Sequence, residues 1–453
     1  MTGQRQDQLK FAVFMTGDSN YHNAGWRLPG AYPDAGMRLD RWIEFAQTME
    51  RGKLDMLFIA DGIGTAGIDN LKATRANPKV DRFEPFTLLS ALASVTKHIG
   101  LAATAHTTYN EPYHVARKFA SLDHLSGGRA GWNFVTGANA EDAKNFSRES
   151  HTVHAERYDR AEEFADVCIG LWDSYEDDAF PRDQESGVYV DTDKLHILNH
   201  HGKYFQVKGP LSLARPPQGH PVLIQAGMSE PARELSARVA DAVFTSQPTF
   251  EEAQAFYSDI KNRVVKHGRS PDDVKILPGV AIFTGKTAAE AEEKYERLSS
   301  LVNPAAAVQL LSARTGIDLT GFPLDGPVPE LKGNEVRVSN PQLMLKLARR
   351  ENLTLRGLVQ RYAAAGPHNM VRGTPSQVAD QLEYWFLNRA ADGFIFLPVY
   401  LPGALNDFVD MIIPELQRRG IFRKEYEGKT LRENMGLPRP ENSFVAKART
   451  SAG

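Results

Sequence analysis

Residues 99–137, IGLAATAHTTYNEPYHVARKFASLDHLSGGRAGWNFVTG, decide the fold. An apolar run at 99–108 ends in polar residues, a helical stretch closes on a pair of glycines, and a second apolar run follows at 129–137. Strands that are apolar throughout are buried on both faces, and a helix between two of them is the connection that parallel strands need. The same unit recurs outward in both directions. Apolar runs stand at 10–15 and 55–61 before it, and at 221–227, 241–247, 275–285 and 393–400 after it. Helical stretches lie between, such as MRLDRWIEFAQTMERG, where Trp42, Phe45, Ala46 and Met49 share a face and Gly52 supplies the stop. Eight such units close a barrel, so we read α/β class and a (β/α)8 TIM barrel, with an open doubly wound sheet as the alternative.

Two intervals are too long for simple connections. Residues 138–220, after the fourth strand, contain a helix near 160–175 and a hairpin, KLHILNHHGKYFQVKG, with His200, His201 and Gly202 read as its turn. Residues 286–392, after the seventh strand, include a Pro/Gly-rich polar stretch. Both leave from the C-terminal ends of strands, where barrel active sites sit, and we expect them to cap the site. The organisation expected is one barrel domain over 1–435 with those insertions, then a tail, 436–453, that is frayed or subunit-bound.

Lys and Arg total 53 against 56 Asp and Glu, a formal charge of -3, so no global field favours nucleic acid or an anionic membrane. A small-molecule substrate is expected. No leader pattern and no apolar run of membrane length stand out, and the single cysteine, Cys168, suits a reducing compartment; a cytoplasmic protein is expected. Cys168 falls on the apolar periodicity of Phe164, Val167, Leu171 and Trp172 and reads as core.

DGIGTAG, residues 61–67, has the glycine spacing of a dinucleotide loop, but a polar segment broken by Pro78 follows it, so a mobile rim loop explains the glycines better. P-loop, zincin and nucleophile-elbow patterns do not occur, and the histidines at 151, 154, 196, 200 and 201 lack metal-ligand spacing; no metal site is expected. PVLIQAGMSEPARE offers more. Gly227 allows close backbone approach at a strand end, while Met228 and Ser229 present N–H groups where a helix begins, a natural phosphate seat; Ser229 could equally be a simple N-cap. HTVHAERYDRAEEF sets His154 and Tyr158 four apart on one helical face. Asp61 closes the second strand, and Asn133 and Thr136 lie at the end of the fourth.

These residues, together with ERGKLDMLFIAD, RPPQGHPVLIQAGMSE, AADGFIFLPVYLP and PELQRRGIFRKEYEGKTLRENMGL, resemble the nitrilotriacetate, pristinamycin IIA and dibenzothiophene sulfone monooxygenases over nearly the whole chain. That family is a branch of the bacterial luciferase-like flavin enzymes. The resemblance implies an oxygenase that binds reduced FMN (FMNH2) from a separate NAD(P)H:flavin reductase and uses O2 as co-substrate through a C4a-peroxide. It implies flavin contacts at Asp61, Thr107, Asn133, His154 and Tyr158, with Thr136 a weaker candidate, and a phosphate turn at Gly227, Met228 and Ser229. His106 and His154 are the candidate proton donors. TTYNEPY, RPPQGHPV and RRGIFRKEYEG are most similar to the nitrilotriacetate branch, which points to an aminopolycarboxylate; cations of the 62–83 loop, Lys72, Arg75, Lys79 and Arg82, are candidate partners for its carboxylates. Sulfur compounds and alkanes remain open as substrates, as do a deazaflavin-dependent dehydrogenase and a non-catalytic flavin-binding protein. Relatives suggest a homodimer or homotetramer.

Overall fold

The computed structural model describes residues 5, 7–17, 21–65, 75, 78–137, 140–149, 153–315, 317–329 and 339–451. Its strands are β1 (Lys10–Met15), β2 (Met56–Ile59), β3 (Gly100–His106), β4 (Ala130–Val135), β5 (His200–His201), β6 (Gln206–Val207), β7 (Val222–Ala226), β8 (Ala242–Thr245), β9 (Lys275–Thr284), β10 (Asn369–Gly373) and β11 (Gly393–Phe396). Eight of them, β1, β2, β3, β4, β7, β8, β9 and β11 in that order, pair in parallel and close on β1, giving the expected TIM barrel. Helices α1 (Leu39–Arg51), α2 (Pro85–Ala93), α3 (Pro112–Ser126), α4 (His154–Trp172), α5 (Glu230–Val239), α6 (Phe250–Lys266) and α7 (Ala288–Ser300) follow in sequence.

Strand alternation sorts the side chains. On β4, Trp132 and Phe134 pack outward with Phe119 of α3 and Phe164 and Trp172 of α4, so Gly131 and Asn133 face the barrel axis. On β3, Leu101, Ala103 and Ala105 belong to that outer layer while Ala102 joins the inner cluster, which puts Thr104 and His106 on the axis side as well. Closure is tight where β11 meets β1: a Cβ on Gly393 would fall on the Lys10 backbone oxygen, so glycine is required there.

The structure adds elements that the sequence reading lacked. β10 pairs with the outer half of β9, Val280–Thr284, beyond the barrel rim. The segment before it carries helices α8 (Pro304–Thr315), α9 (Ser339–Arg350) and α10 (Leu355–Ala365), with a separate apolar cluster of Val308, Leu311, Met344, Leu347 and Leu358. The hairpin in the first insertion exists, but His200 and His201 form its first strand, opposite Val207 and Gln206, and are not its turn. The tail is not frayed. Its helix Ser443–Ser451 is tied down by Asn442 donating to the Asp173 carbonyl at 3.0 Å, by Arg439 on Asp177, and by Phe444 stacked on His196 at 4.8 Å.

The N-terminal floor of the barrel repeats one device. Asp55, Asp241 and Asp392 each immediately precede a strand, and each accepts a backbone N–H of a neighbouring strand: Phe11 at 2.6 Å, Leu223 at 2.8 Å and Ile276 at 2.9 Å. Each buried carboxylate has a cation: Arg423 for Asp55, Arg432 for Asp241, and Arg5 with Lys261 for Asp392. Arg423 and Arg432 both come from the RRGIFRKEYEGKTLRENMGL segment, whose work is to plug this floor.

Burial alone would raise the Asp392 carboxyl, but Lys261, Arg5 and the Ile276 N–H outweigh it and hold it below its ordinary 3.8. A depressed carboxylate contributes stability that is fully present above the unfolded value and is lost as pH falls through the folded one. Unfolding midpoints between about pH 5 and about pH 2 should therefore drop, and Asp392→Asn should lack that part of the slope. An identical slope in the variant would remove Asp392 from the acid response.

Candidate active site

At the C-terminal mouth, β2, β3 and β4 are bound side by side by polar groups. Thr104 Oγ1 donates to the Ile59 carbonyl at 2.7 Å, and Asn133 Nδ2 donates to Thr104 Oγ1 at 2.8 Å. That leaves Asn133 Oδ1 buried on the axis side, accepting no hydrogen bond from the described residues. A buried amide oxygen left in this state costs about 1–3 kcal/mol, so it is able to accept a donor from outside the chain.

One step further out, His106 Nε2 lies 3.3 Å from the Asp61 carbonyl. The Asp61 carboxylate meets Arg82 Nε at 3.1 Å, and Arg82 also donates to the Gly62 carbonyl at 2.7 Å. Burial pushes the Asp61 carboxyl above its usual range, and Arg82 only partly offsets that. Thr107 is fully buried, its N–H on the Val135 carbonyl at 2.9 Å, and Thr108 Oγ1 donates to the Thr136 carbonyl at 2.6 Å. Asp61, His106, Thr107, Asn133 and Thr136 are thus brought together.

The first insertion reaches this rim. Phe146 stacks on Tyr109 at 4.7 Å, and Asp142 packs against Gly64. Helix α4 then returns with Tyr158 half-buried against the core. His154 begins that helix, and its side chain lies outside the described residues, as does Lys72 of the rim loop.

At the end of β7, the turn Gly227–Met228–Ser229 opens α5. A Cβ on Gly227 would stand 2.7 Å from that of Ala232, so glycine lets the helix start directly on the strand end. Ser229 occupies the N-cap position, yet its side chain makes no capping bond; its Oγ is buried and has no partner among the described residues. Simple capping does not account for it. Met228 packs against the cluster of α5 and α6, and its sulfur lies 3.7 Å from Gln247 Nε2.

An aromatic group drawn from β1, β2 and β8 lies inside the barrel. Phe244 lies 5.7 Å from Phe14 and 5.9 Å from Phe58, and the His368 imidazole stacks on it at 5.3 Å with the planes 4° apart. Burial, reinforced by Arg361, depresses the His368 imidazole to about 3, so it is neutral at any working pH. Among the described residues no group of His, Cys, Asp and Glu side chains is placed to hold a metal, and no helix is long and apolar enough to cross a membrane.

Sequence reasoning did not single out Thr104, Arg157 and Arg160. Thr104 was reachable, because it sits two before His106 on an alternating strand. The arginines bind backbone carbonyls, which leave no mark in a sequence.

A family model described as luciferase-like monooxygenase matches residues 13–391. The chain is 52% identical to nitrilotriacetate monooxygenase component A of Aminobacter aminovorans, covering 99% of this chain and 100% of that protein. It is 49% identical to N-acetyl-S-(2-succino)cysteine monooxygenase of Bacillus subtilis (strain 168), covering 98% and 100%. Among solved structures, a riboflavin lyase crystallised with modified FMN and riboflavin superposes with a TM-score of 0.84 at 32% identity, over 97% of this chain and 99% of that one.

Proposed function

The chain belongs to the luciferase-like monooxygenase family, and on that premise we propose that it is the oxygenase component of a two-component system, binding FMN that a separate NAD(P)H:flavin reductase has reduced. The observation that carries this reading is the buried Asn133 Oδ1 in the barrel mouth, without a partner among the described residues, matched by the Ser229 Oγ at the α5 N-terminus in the same state. A flavin has ring N–H donors for the first and a phosphate for the second.

Asp61, Thr107, Asn133, Thr136, His154 and Tyr158 would surround the ring and its side chain, and Gly227, Met228 and Ser229 would seat the phosphate with backbone N–H groups and the helix dipole. When bound, reduced FMN supplies the two electrons by which one atom of O2 enters the substrate and the other leaves as water. The protein places the reactants and excludes solvent, which is the part assigned to the loops and the insertion over the rim. A neutral His106 bonded to the Asp61 carbonyl carries its proton on Nε2, which makes Nδ1 its basic nitrogen. His106 and His154 are the proposed proton carriers.

For the substrate we take an aminopolycarboxylate such as nitrilotriacetate first, from the high identity to the component A enzyme. A second reading, a sulfur compound, is favoured by the aromatic group of Phe14, Phe58, Phe244 and neutral His368, whose own rings suit an apolar sulfur better than a carboxylate. Oxygen uptake with a flavin reductase, FMN and NADH, followed by mass spectrometry of product formed under labelled O2, separates the two. Label in the product of one probe class identifies it; reductase-level uptake with no labelled product from either class would refute an oxygenase for both.

Ser229→Ala is expected to weaken FMN binding by about 1–2 kcal/mol with the unfolding midpoint unchanged, because the hydroxyl caps nothing. Fluorescence titration with FMN checks the first half and thermal melting the second. Unchanged affinity would take the phosphate away from Ser229.

A further inference from the structure

Helix α4 is joined to three neighbouring parts of the mouth, the loops after β3 and β4 and helix α5. Arg160 Nη1 donates to the Thr107 carbonyl and Nη2 to the Asn110 carbonyl at 3.4 Å, so its fork grips the loop after β3. Arg157, nearly one turn earlier, donates to the Gly137 carbonyl at the end of the β4 loop. Further along, Glu162 and Asp166 receive Arg238 at 2.8 and 2.9 Å, and Arg238 belongs to α5, the helix that starts at Ser229. Tyr158 projects from the same first turns.

The Arg160 hydrogen bonds go to backbone carbonyls and not to a carboxylate, and the guanidinium lies over the Phe205 ring at 4.5 Å. Arginine held in this way is spent on fixing chain, and its planar fork can hold two acceptors at once where lysine offers a single point. Thr107 is thus held by three hydrogen bonds to two anchors: its N–H and its Oγ1, the latter at 3.3 Å, both donate to the Val135 carbonyl, and its own carbonyl accepts from Arg160.

We propose that Arg160, assisted by Arg157, is a positioning residue for the cofactor site, clamping the β3 and β4 loops to the insertion helix so that Thr107, Thr136 and Tyr158 hold one fixed spacing. The inference rests on the flavin reading above for its purpose, while the clamp itself is independent of it. The described hydrogen bonds of the two arginines go to main-chain carbonyls, and the positioning role acts through the chain those carbonyls belong to.

The test compares Arg160→Gln, Arg160→Lys and Glu163→Gln. Glu163 lies on the same helix but holds the hairpin, through His200 at 3.0 Å and the Tyr204 and Phe205 N–H groups; its amide variant keeps an acceptor for the Phe205 N–H behind the ring under Arg160, so it loosens α4 while leaving the Arg160 hydrogen bonds in place. Two readouts are taken: FMN affinity by anaerobic titration of the reduced form, and deuterium exchange of the amides at 107–111. Arg160→Gln should weaken FMN by roughly 10- to 100-fold, the size expected when one or two hydrogen bonds to the cofactor are lost from displaced loops, and raise exchange at 107–111. Arg160→Lys should recover part of both, and Glu163→Gln should stay within about 3-fold of wild type, a difference below 1 kcal/mol.

Wild-type affinity in Arg160→Gln would overturn the proposal, and so would an equal loss in Glu163→Gln, which would make the effect one of helix stability. Failure of the wild-type chain to bind FMN at all would refute the flavin reading separately; exchange at 107–111 would then decide the clamp, with unchanged exchange in Arg160→Gln disproving it.

Discussion

Asp241→Ala is expected to lower the free energy of unfolding by about 3–5 kcal/mol, because it strands a buried guanidinium. Arg432 is 4% exposed and Asp241 10%, and the pair is bidentate, Nη2 to Oδ2 at 2.6 Å and Nη1 to Oδ1 at 3.0 Å. The same carboxylate accepts the Leu223 N–H, so its removal also leaves the β7–β8 junction with an unpaired donor. Asp241→Asn should lose less, since it keeps an acceptor for that N–H. The double variant Asp241→Leu, Arg432→Met should recover much of the loss, because replacing both charges removes the uncompensated one. Urea unfolding measures all three. A loss under about 1 kcal/mol for Asp241→Ala would put the pair in the class of solvent-screened surface bridges and contradict the description of the floor.

Asn133→Leu should separate stability from function. Oδ1 has no partner among the described residues, a cost that offsets the Nδ2 bond to Thr104, so an apolar side chain of similar size should leave the melting temperature of the flavin-free protein nearly unchanged. If the amide oxygen receives a flavin N–H, affinity for FMN should fall by about 1–3 kcal/mol, roughly 10- to 100-fold. Calorimetry of the flavin-free chain and a fluorescence titration give both numbers. A variant that binds FMN normally would remove Asn133 from the cofactor site, and one that melts much lower would make its amide structural.

The barrel was legible because its strands are buried on both faces, and a run such as IGLAATAH admits no reading as a half-wet strand. β10 was not, because NMVRG alternates buried Asn369 and Val371 with a half-buried Met370 and an exposed Arg372, and it sits on the rim instead of in the barrel wall. Asn133 and Ser229 could be named from position at strand ends, whereas Thr107 entered only through resemblance, since nothing in HTTYN distinguishes its first threonine from its second. Arg157 and Arg160 escaped notice for a physical reason: their partners are carbonyls, common to every residue. The tail misled because VAKARTS is small and charged, and what docks it is the preceding Asn442 and the single ring of Phe444.

The most direct test of the central claim is rapid mixing. The protein is combined with reduced FMN without oxygen, then mixed with oxygenated buffer while the absorbance of oxidised flavin is followed. Bound flavin is expected to return to the oxidised state several-fold more slowly than free reduced FMN, because the mouth shields it, and Arg160→Gln and Asn133→Leu are expected to shorten the delay. Return at the rate seen without protein would contradict it, and would leave the barrel mouth without the cofactor its unpartnered groups were taken to expect.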